Sequence, residues 1–381
     1  MIKQAVNIHF EQADRLINKR PFSLMMKPVG SYCNLRCCYC YYSPSDLSAN
    51  KMSDSILKES IDKVIFNNSD NEVYMLWHGG EPLLAGIGFF NRVIELQKKA
   101  IEQKGSYQLV VNSLQTNGTL IDSRWASFFK EQNFLIGISI DGPQEIHNAF
   151  RKNISGENSY ERVVKGLNKL VEAGVEFNTL STVNSQSAGK GGQVYDFLKD
   201  SGSHFMQFLP VVAPETPWGI KPEEYGEFLI EIFQEWWNCK DAGNYYVQMF
   251  DVALANYMAV DGGLCQFSPV CGDIPVVEYD GKVYTCDHFA NNDNFLGSVD
   301  NDISSLLFSG RLPVFDVEKF SRLNSQCKSC SCLSLCYGGC PEHRIVPVKN
   351  DFNINYLCKG YYMFFEYVKP YLKEMASQIV L

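Results

Sequence analysis

The sequence predicts an α/β protein: a partial (β/α)6 barrel over residues 1–240, followed by a smaller cysteine-rich α+β domain over residues 241–381. Three observations lead there. Short apolar runs alternate with helical patterns from Ser23 to about Val211. Six such units fall short of a closed eight-fold barrel, which needs about 250 residues. The 14 cysteines are unevenly placed: Cys33, Cys37, Cys38 and Cys40 stand at the head, none lies between 41 and 238, and the rest follow from Cys239 onward.

The strands begin near Ser23, Val73, Gln108, Phe134, Val175 and Phe205. Each run is rich in apolar or β-branched residues and is bounded by Gly, Pro, Asn or Ser. After Ser53, an N-cap candidate, Leu57, Ile61, Val64 and Ile65 recur at helical spacing. After Ser159, Val163, Val164, Leu167, Leu170 and Val171 do the same. Strands separated by helices form a parallel sheet with right-handed crossovers. The stretch from Pro222 to Trp237 predicts an amphipathic helix bridging barrel and tail, and the stretch from Tyr361 to Val368 a closing helix whose aromatic residues pack. The stretch from Ala188 to Gly192 lacks phosphate-loop spacing and reads as a flexible surface loop. Lys98, Lys99 and Lys104 read as a solvated helix face.

With 381 residues and 45% hydrophobic content, the chain can bury a large core. Its 34 Lys+Arg against 43 Asp+Glu leave a net charge of −9, which argues against nucleic acid or an anionic membrane as partner. The first ten residues lack the apolar core of a secretory signal. No stretch approaches the ~18 apolar residues of a membrane span. A cytoplasmic location is expected, where thiols stay reduced and clustered cysteines read as metal or redox chemistry.

In parallel α/β folds the chemistry sits at the C-terminal ends of the strands. Cys33–Cys40 follows the first strand, His78-Gly79-Gly80-Glu81-Pro82 the second and Gln115-Thr116-Asn117-Gly118 the third, while Ser139, Asp141, Gly142 and Pro143 end the fourth. One site on one face is expected. Cys33-x3-Cys37-x2-Cys40 offers three thiolates on a short loop, three corners of a cubane with one iron left open. The same thiols suit zinc. In the tail, Cys265, Cys271, Cys286, Cys327, Cys330, Cys336, Cys340 and Cys358 suffice for two sites of four thiolates, again clusters or structural zinc. Cys38, Cys239 and Cys332 are left over.

The head motif, with Tyr39 before its last cysteine, and the Gly79-Gly80-Glu81-Pro82 segment resemble the radical S-adenosylmethionine superfamily. That resemblance implies a TIM-like partial barrel and a 4Fe–4S cluster held by Cys33, Cys37 and Cys40. The cluster is chelated by S-adenosylmethionine, whose reductive cleavage yields a 5′-deoxyadenosyl radical. It further implies cofactor contacts from His78, Gly79, Gly80 and Glu81. Carbonyls of the Gly pair meet the amino group, Ser139 and Asp141 the ribose hydroxyls and Arg151 the carboxylate. Tyr39 and Leu209 bracket the adenine, and Thr116 and Asn117 sit nearby. The tail run resembles the SPASM extension and implies two auxiliary 4Fe–4S clusters, three clusters in all. Cys265, Cys271, Cys286 and Cys340 hold the nearer one; Cys327, Cys330, Cys336 and Cys358 hold the distal one.

Thr285-Cys286-Asp287-His288-Phe289 looks like the segment that carries the catalytic base of anaerobic sulfatase-maturating enzymes. The stretches at Gln115–Gly118, at Ser139–Pro143 with His147 and Arg151, and at Gln207–Pro210 are similar too. The family implies oxidation of a sulfatase Cys or Ser side chain to Cα-formylglycine. The radical takes a Cβ hydrogen, Asp287 takes the thiol or hydroxyl proton, and the remaining electron leaves through the auxiliary clusters. Tyr42 lines the substrate pocket. The implied partners are an unfolded sulfatase segment, Cys/Ser-x-Pro/Ala-x-Arg, and a low-potential donor such as flavodoxin or ferredoxin. One alternative is another SPASM maturase forming thioether or carbon–carbon crosslinks. Such enzymes often add an N-terminal peptide-recognition domain, whereas only about 20 residues precede the first strand here. A second alternative is a non-catalytic zinc or iron–sulfur binding module.

Overall fold

The computed structural model describes residues 22–42, 50–68, 71–271, 274–301, 306 and 319–379. The first ten residues, on which the secretory-signal reading rests, lie outside them. All six expected strands form: β1 (Leu24–Met26), β2 (Glu72–Trp77), β3 (Leu109–Thr116), β4 (Leu135–Ser139), β5 (Phe177–Val183) and β6 (Phe205–Pro210). Helices α1 (Asp54–Asn67), α2 (Ile87–Lys104), α3 (Ser123–Glu131), α4 (Gln144–Phe150), α5 (Tyr160–Ala173) and α6 (Gly191–Asp200) alternate with them. Ser53 caps α1, its hydroxyl oxygen accepting from the Ile56 N–H at 3.3 Å.

By compactness the chain divides into two units of three stretches each. Residues 1–30, 48–113 and 272–318 make the first; 31–47, 114–271 and 319–381 make the second. This partition is distinct from the division by cysteine motif near residue 240.

In the first unit β1 pairs in parallel with β2, Leu24 opposite Met75 and Met26 opposite Trp77. On its other side β1 pairs in parallel with β8 (Val276–Val277). The strand β8 turns back antiparallel into β9 (Lys282–Tyr284), and β9 into β10 (Phe295–Ser298). These strands are two to four residues long, too short to show a period in the sequence. Leu57, Ile61, Val64 and Ile65 of α1 are buried with Phe90, Val93 and Leu96 of α2. The Trp77 ring meets Phe89 and Phe90 edge-on at 6.1 and 5.6 Å. Lys98 and Lys99 are exposed as expected, but Lys104 is not simply solvated. Its ammonium donates to the Ile65 carbonyl at 2.6 Å and to Gln108 Oε1 at 2.9 Å, tying the end of α2 back to α1.

In the second unit β4, β5 and β6 run in parallel, with Ile136 opposite Phe177 and Thr179 opposite Met206. After β6 come α7 (Pro222–Asn238), the short β7 (Tyr246–Val247) and α8 (Gln248–Tyr257). The tail adds α9 (Ser325–Lys328), α10 (Leu333–Cys336) and the closing helix α11 (Cys358–Gln378). The helices α7 and α11 cross at backbone contact: a Cβ on Gly226 would lie 2.8 Å from the Gly360 backbone. Around that crossing Phe233 stacks on Trp237, and Tyr371 meets both edge-on. The expected flexible loop at 188–192 is instead partly packed. Gly191 is buried and opens α6, its N–H donating to Glu231 Oε2 of α7 at 2.6 Å. The close seat of α7, which a periodicity reading does not see, fixes this segment. No described helix is long and apolar enough to cross a membrane.

Candidate functional site

The head cysteines lie in the second unit, on a loop pinned along its length. Arg36 N–H donates to the Lys152 carbonyl at 2.7 Å and Cys38 N–H to the Phe150 carbonyl at 3.1 Å. Cys33 Sγ accepts from the Leu35 N–H at 3.4 Å and from Asn117 Nδ2 at 3.7 Å. Asn117 also donates to Asn34 Oδ1, and Asn34 to Thr119 Oγ1, both at 2.8 Å. The Cys40 N–H closes a turn onto the Cys37 carbonyl at 3.2 Å. All 14 cysteines are free thiols. Burial, reinforced by Asp141, Cys40 and Cys38 against the opposing pull of Arg151, pushes the Cys37 thiol up to about 11. Such a thiol ionises at neutral pH only when a metal takes its proton's place. The free thiols of this loop, with two N–H···S donors at Cys33, are a donor set that suits an iron–sulfur cluster.

Beside this loop three of the expected cofactor residues come together. Asp141 is buried at the end of β4. It accepts from Arg151 Nε at 2.9 Å, from the Thr182 N–H at 3.0 Å and from the Tyr39 hydroxyl. Arg151 Nη2 donates to Thr182 Oγ1 at 3.0 Å, and its guanidinium lies 5.5 Å from the Tyr39 ring centroid. Burial, then the Asp141 carboxylate, holds Tyr39 well above the usual phenol range despite Arg151. Thus both Asp141 oxygens serve protein partners. Ser139, the last residue of β4, accepts from Gln115 Nε2 at 2.9 Å. Leu209 of β6 is 40% exposed. Tyr42 is half-buried beside the exposed Tyr41, ring centroids 6.1 Å apart.

His147 ties this constellation together. The Asp141 N–H donates to its Nδ1 at 3.4 Å, so the ring proton sits on Nε2 and points to Ser159 Oγ at 3.0 Å. The Ser159 hydroxyl in turn donates to the Arg151 carbonyl at 2.8 Å. Burial, with Arg151 adding and Asp141 opposing, pushes His147 down to about 4, so the ring is neutral at physiological pH.

In the first unit β2 ends on His78-Gly79-Gly80-Glu81. Gly79 has φ +111°, and a Cβ there would stand 2.8 Å from the Gly30 carbonyl oxygen. The Gly80 N–H donates to that same oxygen at 2.7 Å. The Glu81 side chain is buried and accepts from the Leu83 N–H at 3.0 Å, capping the turn Pro82–Ala85. Burial lowers the His78 pKa. Asp287, in the turn Asp287–Phe289 after β9, pairs with Lys27, a fully buried lysine directly after β1. Glu278 pairs with the same ammonium at 3.3 Å. Sequence reasoning missed Lys27, although a lysine closing an apolar strand is itself a signal.

The tail thiols of the second unit perturb one another. Burial first, then Cys358, Cys327 and Cys330, pushes Cys336 up to about 12. Burial, then Cys327 and Cys330, pushes Cys358 up to about 11. Cys340 is pushed up to about 11 by burial, with Glu342 and Cys265 adding. Cys332, expected to be spare, is buried with its thiol donating to Glu366 Oε1 at 3.1 Å. Cys239 donates to Glu235 at 3.2 Å on the surface of α7. Cys286 belongs to the first unit, where it opens the turn that carries Asp287.

Residues 28–186 match the Radical SAM superfamily. Over 95% of its length the chain is 36% identical to the serine-type anaerobic sulfatase-maturating enzyme of Bacteroides thetaiotaomicron, covering 92% of that protein. It is 35% identical over 94% of its length to the cysteine-type enzyme of Clostridium perfringens, covering 99% of it. Its structure superposes on native anSMEcpe with bound AdoMet and Cp18Cys peptide at a TM-score of 0.87 and 34% identity, over 94% of this chain and 100% of that one. That likeness bears out the α/β architecture of a radical S-adenosylmethionine barrel with a C-terminal cysteine-rich domain. By descent and by fold, this chain belongs to the anaerobic sulfatase-maturating enzymes, S-adenosylmethionine-dependent protein-modifying enzymes of the radical SAM superfamily.

Proposed function

We propose that the chain oxidises a Cys or Ser side chain in an unfolded sulfatase segment, Cys/Ser-x-Pro/Ala-x-Arg, to Cα-formylglycine. The observation that carries this reading is its near full-length similarity to both serine-type and cysteine-type maturases. Three 4Fe–4S clusters are proposed. Cys33, Cys37 and Cys40 hold the first, Cys265, Cys271, Cys286 and Cys340 the second, and Cys327, Cys330, Cys336 and Cys358 the third. Bound S-adenosylmethionine and the clusters supply a carbon radical that takes one Cβ hydrogen and a route for one electron.

The chain's own residues do the rest. Gly79 and Gly80 leave room for the cofactor's amino group, with Glu81 and the Gly30 carbonyl holding that segment in place. Ser139 takes a ribose hydroxyl, and Tyr39 and Leu209 flank the adenine. Arg151 meets the carboxylate, and His78 hydrogen-bonds at the same site. The occupied oxygens of Asp141 support a positioning role, orienting Arg151 and Tyr39, alongside any contact to the ribose. Asp287 takes the substrate's thiol or hydroxyl proton, its carboxylate oriented by Lys27. Tyr42 lines the pocket. A Cys substrate loses a hydrogen atom, a proton and an electron to give a thioaldehyde, which water hydrolyses; a Ser substrate gives the aldehyde directly. A low-potential flavodoxin or ferredoxin and a reducing cytoplasm suit this chemistry.

The test is anaerobic incubation of the reconstituted enzyme with S-adenosylmethionine, a reductant, and Cys- and Ser-type peptides, read by mass spectrometry. The reading expects an aldehyde at the target residue of at least one peptide. Deoxyadenosine formed with both peptides unchanged, or crosslinked instead, contradicts it.

A further inference from the structure

We propose that the buried Lys319 and the half-buried Arg344 form a cationic relay that raises the reduction potentials of the auxiliary clusters, Arg344 acting on both and Lys319 on the nearer one. The inference rests on the cluster assignments proposed above. All the residues used here lie in the second unit.

Lys319 is 1% exposed, yet its partners are neutral. Its ammonium donates to the carbonyls of Cys265, Gln266 (3.0 Å) and Ser268. It is thus tied to the backbone of one proposed ligand. Arg344 is tied to the backbone between two others. Its Nη1 donates to the Lys319 carbonyl at 2.7 Å, its Nε to the Gly338 carbonyl at 3.3 Å and its Nη2 to the Tyr337 carbonyl at 3.4 Å. Residues 337 and 338 lie between Cys336 and Cys340.

Burying the Lys319 ammonium, and half-burying the Arg344 guanidinium, against carbonyls alone is costly. Lys319 stands on the backbone of Cys265, assigned above to the nearer cluster, and Arg344 on the turn between Cys336 and Cys340, one assigned to each cluster. Negative charge on thiolate-bound clusters at those cysteines offsets the burial. Reduction adds one further negative charge to a cluster, and a nearby fixed cation favours it. Hydrogen bonds that only shaped the loops would need no charge, and neutral donors would serve.

The experiment is an electron-paramagnetic-resonance redox titration of the reconstituted holoenzyme, with iron counted in each sample. Arg344→Gln is expected to lower both auxiliary midpoints by at least tenfold in the reduction equilibrium, about 59 mV for a one-electron couple. Lys319→Gln is expected to lower one of them, and the head cluster's midpoint stays in place in both variants. A fully loaded variant with unmoved auxiliary midpoints overturns the proposal. If a neutral variant fails to retain iron, Arg344→Lys replaces it. Its shorter, more compact group must move both auxiliary midpoints in the same direction by less, and unmoved midpoints there are equally fatal. About four irons in the wild-type enzyme would instead overturn the cluster assignment itself.

Discussion

Asp287 pairs with Lys27, whose side chain is completely buried while that of Asp287 stays 12% exposed. Glu278 approaches the same ammonium at 3.3 Å. The pairing joins the end of β1 to the segment after β9, so the proposed base is held by a cation from a different part of the chain.

Replacing Asp287 with Asn removes the proton acceptor and preserves the shape. Deoxyadenosine formation is expected to continue, while peptide oxidation falls by about 10²–10⁴-fold, the usual contribution of a positioned base. Chromatography of both products in one reaction checks it; equal yields from variant and wild type remove Asp287 from the role.

Lys27→Met leaves Asp287 and Glu278 facing each other without their cation. Breaking a buried pair from one side costs about 3–5 kcal/mol, so the denaturation midpoint falls, and aldehyde formed per deoxyadenosine falls with it. Lys27→Arg is expected to recover part of both. A Met variant that keeps wild-type coupling shows that Lys27 has no part in orienting the base.

His147 is pushed down to about 4 from its ordinary value of 6.5, chiefly by burial. Between those values the unfolded chain binds the proton and the folded chain does not. The stability this neutral ring contributes is complete above pH 6.5 and is lost as pH falls toward 4, at up to about 1.4 kcal/mol per pH unit. Denaturant titrations at pH 7.5 and 5.5 are expected to show a smaller loss for His147→Gln than for the wild type. Identical losses would contradict the assignment.

Gly226 and Gly360 let α7 and α11 touch at the backbone. Ala at either position forces the helices apart and is expected to cost about 1–3 kcal/mol, seen as a lower melting temperature. An unchanged melting temperature would show that the crossing relaxes freely.

Much of this architecture is legible in the sequence because it rests on local patterns. The runs that become β1 to β6 carry their own apolar pattern and turn residues, and cysteine spacing announces the head loop. What escapes is pairing between distant segments. Lys27 reads only as the residue after a strand until Asp287 is set against it. The bonds that Asp141 accepts from Arg151, Thr182 and Tyr39 are equally invisible to sequence spacing. Lys104 reads as surface until the carbonyls at the end of α1 claim it. The strands β8 to β10 are too short to carry a period and gain their place by pairing with β1 and with each other.

Hydrogen abstraction from the substrate Cβ is the central claim, and isotope transfer tests it most directly. A sulfatase peptide deuterated at the Cβ of its target residue is incubated anaerobically with the enzyme, S-adenosylmethionine and reductant, and the recovered 5′-deoxyadenosine is weighed by mass spectrometry. The account predicts one deuterium in the deoxyadenosine for each aldehyde formed. Aldehyde accompanied by unlabelled deoxyadenosine would contradict it.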